Sequence, residues 1–339
     1  VTLSHKANNL DVLLSIQRMV EDGFTTYAPH GKDIDNYEDD AYRNTTINLK
    51  TGYWIDESNR IEAGYHDINA LNHYDVYNFL LSGVDPNSLA RSDTKERSGY
   101  LIYKYFIGNH ALEATLSQTN IHKKELDTMF GMEKYQGKVS LIEMKDTWKY
   151  GAKDMVVFGG NYQKDGLDYT QVGMDEEDYT SHSKALYLHN TNQFGNLILT
   201  QALRYDSFSA FEDKLTGKVG AKYLFSKDVN LYANYGTAYK SPAIFEMINL
   251  WGTSNLDLKP ENIESFNVGM QYAGFNINLF RNEIKDMISW NSTTFMNENI
   301  DGKSILKGLE IAYEEQFFDT LLAGVNYTYI DAKDEGGKR

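Results

Sequence analysis

The sequence contains no cysteine, which excludes a disulfide framework and any thiolate metal site. It holds only 4 prolines among its 339 residues. Few prolines leave long paired strands unobstructed, because proline removes a ladder donor. Basic excess is lacking too: 33 Lys and Arg stand against 48 Asp and Glu, a formal net charge of -15. Phosphate binding needs clustered cations, so nucleic acid is excluded as a partner. No apolar run reaches the roughly 18 residues that a membrane-crossing helix needs. No amphipathic helix of useful length, low-complexity linker or domain boundary is visible either.

Enzyme constellations are equally sparse. The 8 histidines lie scattered, at His5, His30, His66, His73, His110, His122, His182 and His189. None belongs to a His-Glu-x-x-His motif. No nucleophile elbow, phosphate-cradling loop or dinucleotide fingerprint occurs. The chain does not read as an enzyme; an outer-membrane lipase or protease is the minor alternative.

What is present is a long series of hairpins. Tyrosine is abundant, at 25 residues, which suits strands and membrane-interface belts. The mean hydropathy of -0.52 looks soluble, yet a strand-built membrane protein looks the same, because only alternate residues face lipid. Leu112, Ala114 and Leu116 alternate with Glu113, Thr115 and Ser117. Val229, Leu231, Ala233 and Tyr235 alternate with polar neighbours, as do Ala323, Val325, Tyr327 and Tyr329. In Phe275, Ile277 and Leu279 the alternation holds until Phe280 breaks it. Such faces fit lipid outside and water within, and equally fit any half-exposed antiparallel sheet.

Connections of two lengths order these strands. Short turns are expected at 56–59, 108–110, 194–196, 226–228, 273–274 and 318–319, where Gly, Asn and Asp supply turn conformations. Longer polar connections are expected at 22–40, 72–96, 122–136, 166–180, 240–260 and 291–304. Residues 244–251 read as a helical turn inside one of them. The regular exchange of short and long is the pattern of an antiparallel up-and-down transmembrane β-barrel. About sixteen strands of roughly ten to fifteen residues each are expected, longer than the soluble mode.

Acidic loops are the only candidate chemistry. Asp33, Asp35, Glu38, Asp39 and Asp40 crowd one loop, Asp75 and Asp93 flank another, and Asp175-Glu-Glu-Asp178 forms a third cluster. Calcium takes six to eight oxygen ligands, and flexible acidic loops supply them well. Simple solvation of the carboxylates is the competing reading.

Several segments together carry a family resemblance. They are Tyr239-Lys-Ser-Pro242, Gly252-Thr-Ser-Asn-Leu256, Leu258-Lys-Pro-Glu261 and Asn267-Val-Gly269. Phe280-Arg-Asn-Glu-Ile-Lys-Asp-Met-Ile288, Asn299-Ile-Asp-Gly-Lys303, Leu306-Lys-Gly-Leu-Glu310 and Tyr327-Thr-Tyr-Ile-Asp-Ala332 continue the pattern. The chain resembles the barrel of TonB-dependent outer-membrane receptors. It departs from them at Ser241 for Ala, in a proline missing after Gly252, and in a two-residue insertion, Asp257-Leu258.

The resemblance implies an outer-membrane, multi-pass barrel of about 22 strands. Residues 1–339 would form one barrel-domain fragment with both ends truncated. It would carry about sixteen strands, and the plug and last strands would lie outside it. The implied function is TonB-dependent active transport of a scarce nutrient, with cobalamin the expected cargo, TonB engaged through the plug and outer-membrane lipid around the strands. His73-Tyr-Asp-Val-Tyr77 and Ser92-Asp-Thr-Lys95 are similar to loops of cobalamin (vitamin B12) transporting members. That similarity implies calcium at Asp22, Glu38, Asp40, Tyr74, Asp75 and Asp93, with Asp33, Asp35 or Asp39 as substitutes in the loosely matched loop. The alternative cargo is an iron-siderophore or haem. An alternative of another class, a passive porin-like channel or surface adhesin, fits poorly with the Lys-Pro-Glu and Lys-Gly-Leu-Glu segments.

Overall fold

A computed structural model describes residues 1–25, 27, 31–33, 35, 37–78, 82–127, 131–171, 177–248, 253–318 and 320–334. The strands divide between two compact units, 1–144 with 161–182, and 145–160 with 183–339. The first unit carries β1 (Thr2–Ala7), β2 (Leu10–Glu21), β3 (Tyr42–Trp54), β4 (Asn59–His73), β5 (Val76–Asn78), β6 (Gly83–Asp85), β7 (Arg91–Ile107) and β8 (His110–Asp127). Next come β9 (Gly131–Lys149), β10 (Met155–Gln171) and β11 (Glu177–Phe194), which contribute to both units. The second unit carries β12 (Leu197–Phe208), β13 (Lys214–Leu224), β14 (Val229–Lys240), α1 (Ile244–Met247), β15 (Glu261–Tyr272), β16 (Phe275–Lys285), β17 (Ile288–Asn291), β18 (Met296–Asn299), β19 (Lys303–Phe317) and β20 (Leu321–Lys333). The expected all-β antiparallel meander is what the chain forms. Sixteen strands pair in chain order, and β5–β6 and β17–β18 are small separate hairpins.

Register assigns the two faces. In the first unit Leu14 pairs with Leu49, Leu49 with Tyr65, and Leu101 with Leu116. These residues lie on one apolar face, and Leu49, Tyr65, Leu101 and Leu116 are all exposed. The opposite face is polar. There Arg60 donates to Asp11 at 2.9 Å and to Glu62 at 2.7 Å, and Lys104 reaches Glu62 at 2.9 Å. In the second unit Leu188 pairs with Leu203 and Leu231 with Met270, and all four are likewise exposed. An apolar face this extensive, which no second layer covers among the described residues of either unit, is stable only against hydrocarbon.

The break in alternation at Phe280 has a structural cause. Phe280 pairs with Gly308, on the face opposite Leu279. A Cβ on Gly308 would lie 2.6 Å from the Phe280 ring and 2.2 Å from the Tyr329 carbonyl oxygen. Glycine within Lys307-Gly-Leu-Glu310 therefore makes room for an aromatic ring and a neighbouring backbone.

Several expected boundaries are corrected. Residues 122–136 and 166–180 were expected as loops, yet strands run to 127 and resume at 131, and run to 171 and resume at 177. The alternation fades there because a strand rising above the bilayer meets water on both faces. The backbone ladder continues regardless, with Asp93 opposite Lys124 and Arg91 opposite Leu126. Five strands, β7 to β11, reach 17 to 19 residues, beyond the expected range. The connection at 209–213 is brief where the short–long alternation would put a long one. Turns at 8–9 and 150–154 are additional. The helical turn within 244–251 forms over Ile244–Met247, and 249–252 lie outside the described residues.

Candidate functional site

Strands β2 and β3 are joined by 22–41, and β4 and β7 by 74–90. Gly23 turns the chain at the start of the first connection, with φ of 73°. A side chain there would collide with the Asp40 carbonyl oxygen, 2.3 Å from an ideal Cβ. The two ends of this connection therefore touch. The second connection folds back through the β5–β6 hairpin, where Val76 pairs with Asp85. The Asn87 side chain of its Asp85-Pro-Asn87 turn accepts the Glu38 backbone N–H at 3.1 Å. Tyr74 is tied to the strand that follows, donating its backbone N–H to the Ala90 carbonyl at 3.2 Å.

This folding brings Glu38, Asp40 and Asp75 together, with one carboxylate oxygen of each within 4.8 Å of the others. Asp75 is oriented by the Thr25 hydroxyl and the Tyr27 backbone N–H, both donating to its Oδ2 at 3.0 Å. Thr25 is buried, at 2% exposure. Glu38 Oε1 is buried and accepts no hydrogen bond. Burial pushes the Glu38 carboxyl above its ordinary pKa, and the nearby Asp40 and Asp75 charges push it the same way. Carboxylates brought this close repel each other. The donor set is all hard oxygen, the chemistry of Ca²⁺ and not of soft metals.

The other predicted residues are placed differently. Tyr74 adjoins Asp75 and is held through its backbone. Asp22 directly follows β2 and stands outside the converging group. Asp93 is not a loop residue: it sits in β7, opposite Leu71 on β4 and Lys124 on β8, also outside that group. The ladder begins at Arg91, so Asp93 is fixed by backbone pairing. Asp33, Asp35 and Asp39 likewise stand outside the group. Asp175 and Glu176 of the third acidic cluster lie outside the described residues. Sequence reasoning missed Thr25 and Asn87 altogether. The turn-forming Asp85-Pro-Asn87 was the one available signal for the latter.

A second loop pair, 241–260 with 286–302, carries the recognised motif residues. Leu258 is 2% exposed and Pro260 is fully buried. Glu261 accepts Lys240 Nζ at 3.2 Å and the Ile288 backbone N–H at 3.0 Å. The Asn299 carboxamide accepts the Lys259 N–H at 2.8 Å and donates to the Lys259 and Asp286 carbonyls at 2.9 and 2.7 Å. Asn297 donates to the Glu246 carbonyl at 3.0 Å, and Asn255 to the Asn297 carbonyl at 2.8 Å. The Leu-Lys-Pro-Glu segment is thus a buried clip between two loops, and not a reactive centre.

Long strands with an exposed apolar face, a polar face and elaborate loops define an integral membrane protein that crosses with strands. The chain belongs to the TonB-dependent receptor-like β-barrel family, whose model matches residues 7–339. That family resides in the outer membrane and is made up of transport receptors. Solved structures similar to this chain include the siderophore receptor PirA of Pseudomonas aeruginosa, 13% identical with a TM-score of 0.78 over 98% of this chain and 62% of that one. The ferric-catecholate import receptor Fiu of K12 E. coli is 13% identical with a TM-score of 0.77, over 100% of this chain and 63% of that one. For the FrpB iron transporter of Neisseria meningitidis the values are 14% and 0.77, over 98% and 58%. At such identities the likeness concerns the fold. The chain spans about three-fifths of the length of these receptors.

Proposed function

We propose that this chain is the barrel part of a receptor that imports a scarce metal chelate across the outer membrane, driven through TonB. Family membership supports the transport role. The ligands named for the solved relatives support an iron-siderophore as cargo. We further propose that Glu38, Asp40 and Asp75 hold a calcium ion, with Tyr74, Asp22 and Asp93 nearby in the chain or ladder and not among its carboxylate ligands. The observation that carries this is the convergence of three carboxylates from two loops, with Glu38 Oε1 buried and unbonded. Calcium would pin the two loops together and present a fixed surface to the cargo, by linkage between the two sites.

Cobalamin is the second reading. It is favoured by the Tyr74-Asp75 pair standing at the joint of the same two loops, in the segment that carries the cobalamin-like resemblance. Calorimetry on the full-length receptor, with ferric catecholate siderophores and cobalamin in parallel and with and without calcium, tests both. Siderophore binding alone upholds the first cargo, and cobalamin binding alone the second. Binding of neither at micromolar concentration rejects the metal-chelate reading. Equal affinities with and without calcium reject the calcium role.

A further inference from the structure

The apolar face of β15, β16, β19 and β20 changes character toward the end that bears the connections 241–260 and 286–302. Register sets out the rows. Tyr272, Phe275, Tyr313 and Val325 align near the short turns. Met270, Ile277, Ile311 and Tyr327 follow, and then Val268, Leu279, Leu309 and Tyr329. The next row is Phe266, Arg281, Lys307 and Asp331, and beyond it Glu264 pairs with Glu283 and Ile305 with Lys333. Lys285 stands directly opposite Lys303. The same surface therefore runs from an aromatic girdle through aliphatic rows into a charged rim.

A groove of about 530 Å³ crosses that transition. Val268, Leu279, Leu309 and Tyr329 line its apolar part, and Arg281, Lys307 and Asp331 its upper edge. The rim holds five cations, Arg281, Lys285, Lys303, Lys307 and Lys333, against three carboxylates, Glu264, Glu283 and Asp331. Along these rows, the flanking Asp286, Asp301 and Asp334 apart, cations outnumber carboxylates by two, in a chain whose net charge is -15. Three carboxylates are shared among the five cations, with Glu264 3.3 Å from Lys285. Asp331 lies 3.8 Å from Lys307 and 3.4 Å from Lys333, and Glu283 lies 2.6 Å from Lys303 and 3.5 Å from Arg281. Arg281 and Lys307 remain 54% and 58% exposed. Like charges paired directly across strands destabilise a sheet; Glu283 already lies between Lys285 and Lys303, at 3.9 and 2.6 Å, whereas the Arg281–Lys307 pair favours an added anion.

We propose that this surface is a binding site for an anionic phosphate-bearing lipid of the outer leaflet. Its acyl chain occupies the groove over Val268, Leu279 and Leu309, and its phosphate sits at Arg281 and Lys307. The chemistry fits each end. Only hydrocarbon suits the aliphatic rows, and a guanidinium beside an ammonium suits phosphate oxygens. The distance also fits, because the rim lies one row above the aliphatic rows, where a headgroup meets the acyl chains. This inference rests on the outer-membrane placement and is independent of the cargo.

The test is native mass spectrometry of the full-length receptor in detergent, titrated with phosphatidylglycerol and, separately, phosphatidylcholine. The wild type should bind phosphatidylglycerol about tenfold more tightly, and R281Q/K307Q should lose that preference. The control K153Q/K227Q removes the same charge from exposed turns at the other strand ends and should keep it. Heat-modifiable gel migration verifies that each variant is folded. Equal affinity of the wild type for the two lipids would overturn the site. So would an unchanged preference in R281Q/K307Q, or equal loss in the control. Displacement of the lipid by millimolar inorganic phosphate alone would also overturn it, since the acyl chain would then contribute nothing. A failure of the membrane reading looks different: the receptor would retain no lipid of either kind.

Discussion

Two pairs of loops in this protein meet the same requirement by opposite means. Connections 241–260 and 286–302 are joined by the Asn297 and Asn299 carboxamides donating to the Glu246 and Lys259 carbonyls, and Lys240 bridges Glu246 and Glu261 at the base of the first. The ion pairs in that clip set the Lys240 ammonium between two carboxylates. Connections 22–41 and 74–90 meet instead at Glu38, Asp40 and Asp75, three groups of one sign. The first junction is held by hydrogen bonds to backbone groups, and the second brings like charges together, where the proposed calcium would sit. A family motif such as Leu-Lys-Pro-Glu is therefore a mark of architecture.

The largest effect should come from breaking the hydrogen-bonded junction. Asn299→Ala removes three hydrogen bonds, which at about 1 kcal/mol each amounts to about 2–3 kcal/mol of local stability. Hydrogen exchange across 286–302 should accelerate accordingly, with and without calcium alike. Any calcium rescue would show that the two junctions are not of different kinds.

Asp75→Ala attacks the other junction. It should weaken calcium binding to the full-length receptor by about tenfold or more, while exchange in 286–302 stays unchanged. Calcium affinity equal to wild type would return Glu38, Asp40 and Asp75 to solvated surface. Thr25→Val is gentler, because it deletes one bond to Asp75 and keeps the carboxylate. A loss of about 1 kcal/mol, or roughly fivefold in calcium affinity, is expected by titration calorimetry. An effect as large as that of Asp75→Ala would mean that Thr25 holds the whole loop.

The smallest effect is in pH. The Glu38 carboxyl is raised above 4.5 in the fold, so the folded junction binds more protons than the unfolded loop in the interval above that value. Its stability therefore falls as pH rises through the interval. Without calcium, the protection of amides in 37–41 relative to their intrinsic exchange should fall as pH rises from 4.5 toward neutrality. With saturating calcium the trend should flatten or reverse, because the ion favours the ionised carboxylate. The same trend in both conditions would separate Glu38 from the ion.

The antiparallel meander was readable because period-two alternation and Gly, Asn or Asp turns are local signals. Leu112 to Leu116 and Val229 to Tyr235 behave as their pattern implies. Loop boundaries at 122–136 and 166–180 were misread for a physical reason. Lys123, Lys124 and Glu125 look like loop residues, yet they extend a ladder whose order comes from the neighbouring strand. Asp93 was misplaced by the same cause.

Sequence alone determined the fold class and the two-faced strands, since each residue's face follows from its parity along a strand. It also determined the acidic balance and the segments that mark the family. Only the tertiary structure decided which carboxylates meet. Glu38 and Asp75 are far apart in the chain, and their convergence depends on Gly23 allowing the backbone to reach Asp40 and on Asn87 holding the Glu38 N–H. The charged rim likewise came from pairing. Arg281 and Lys307 are ordinary strand residues in sequence, and register sets them side by side. Local propensity sets what a segment becomes, whereas charge convergence depends on contacts between segments that no local pattern encodes.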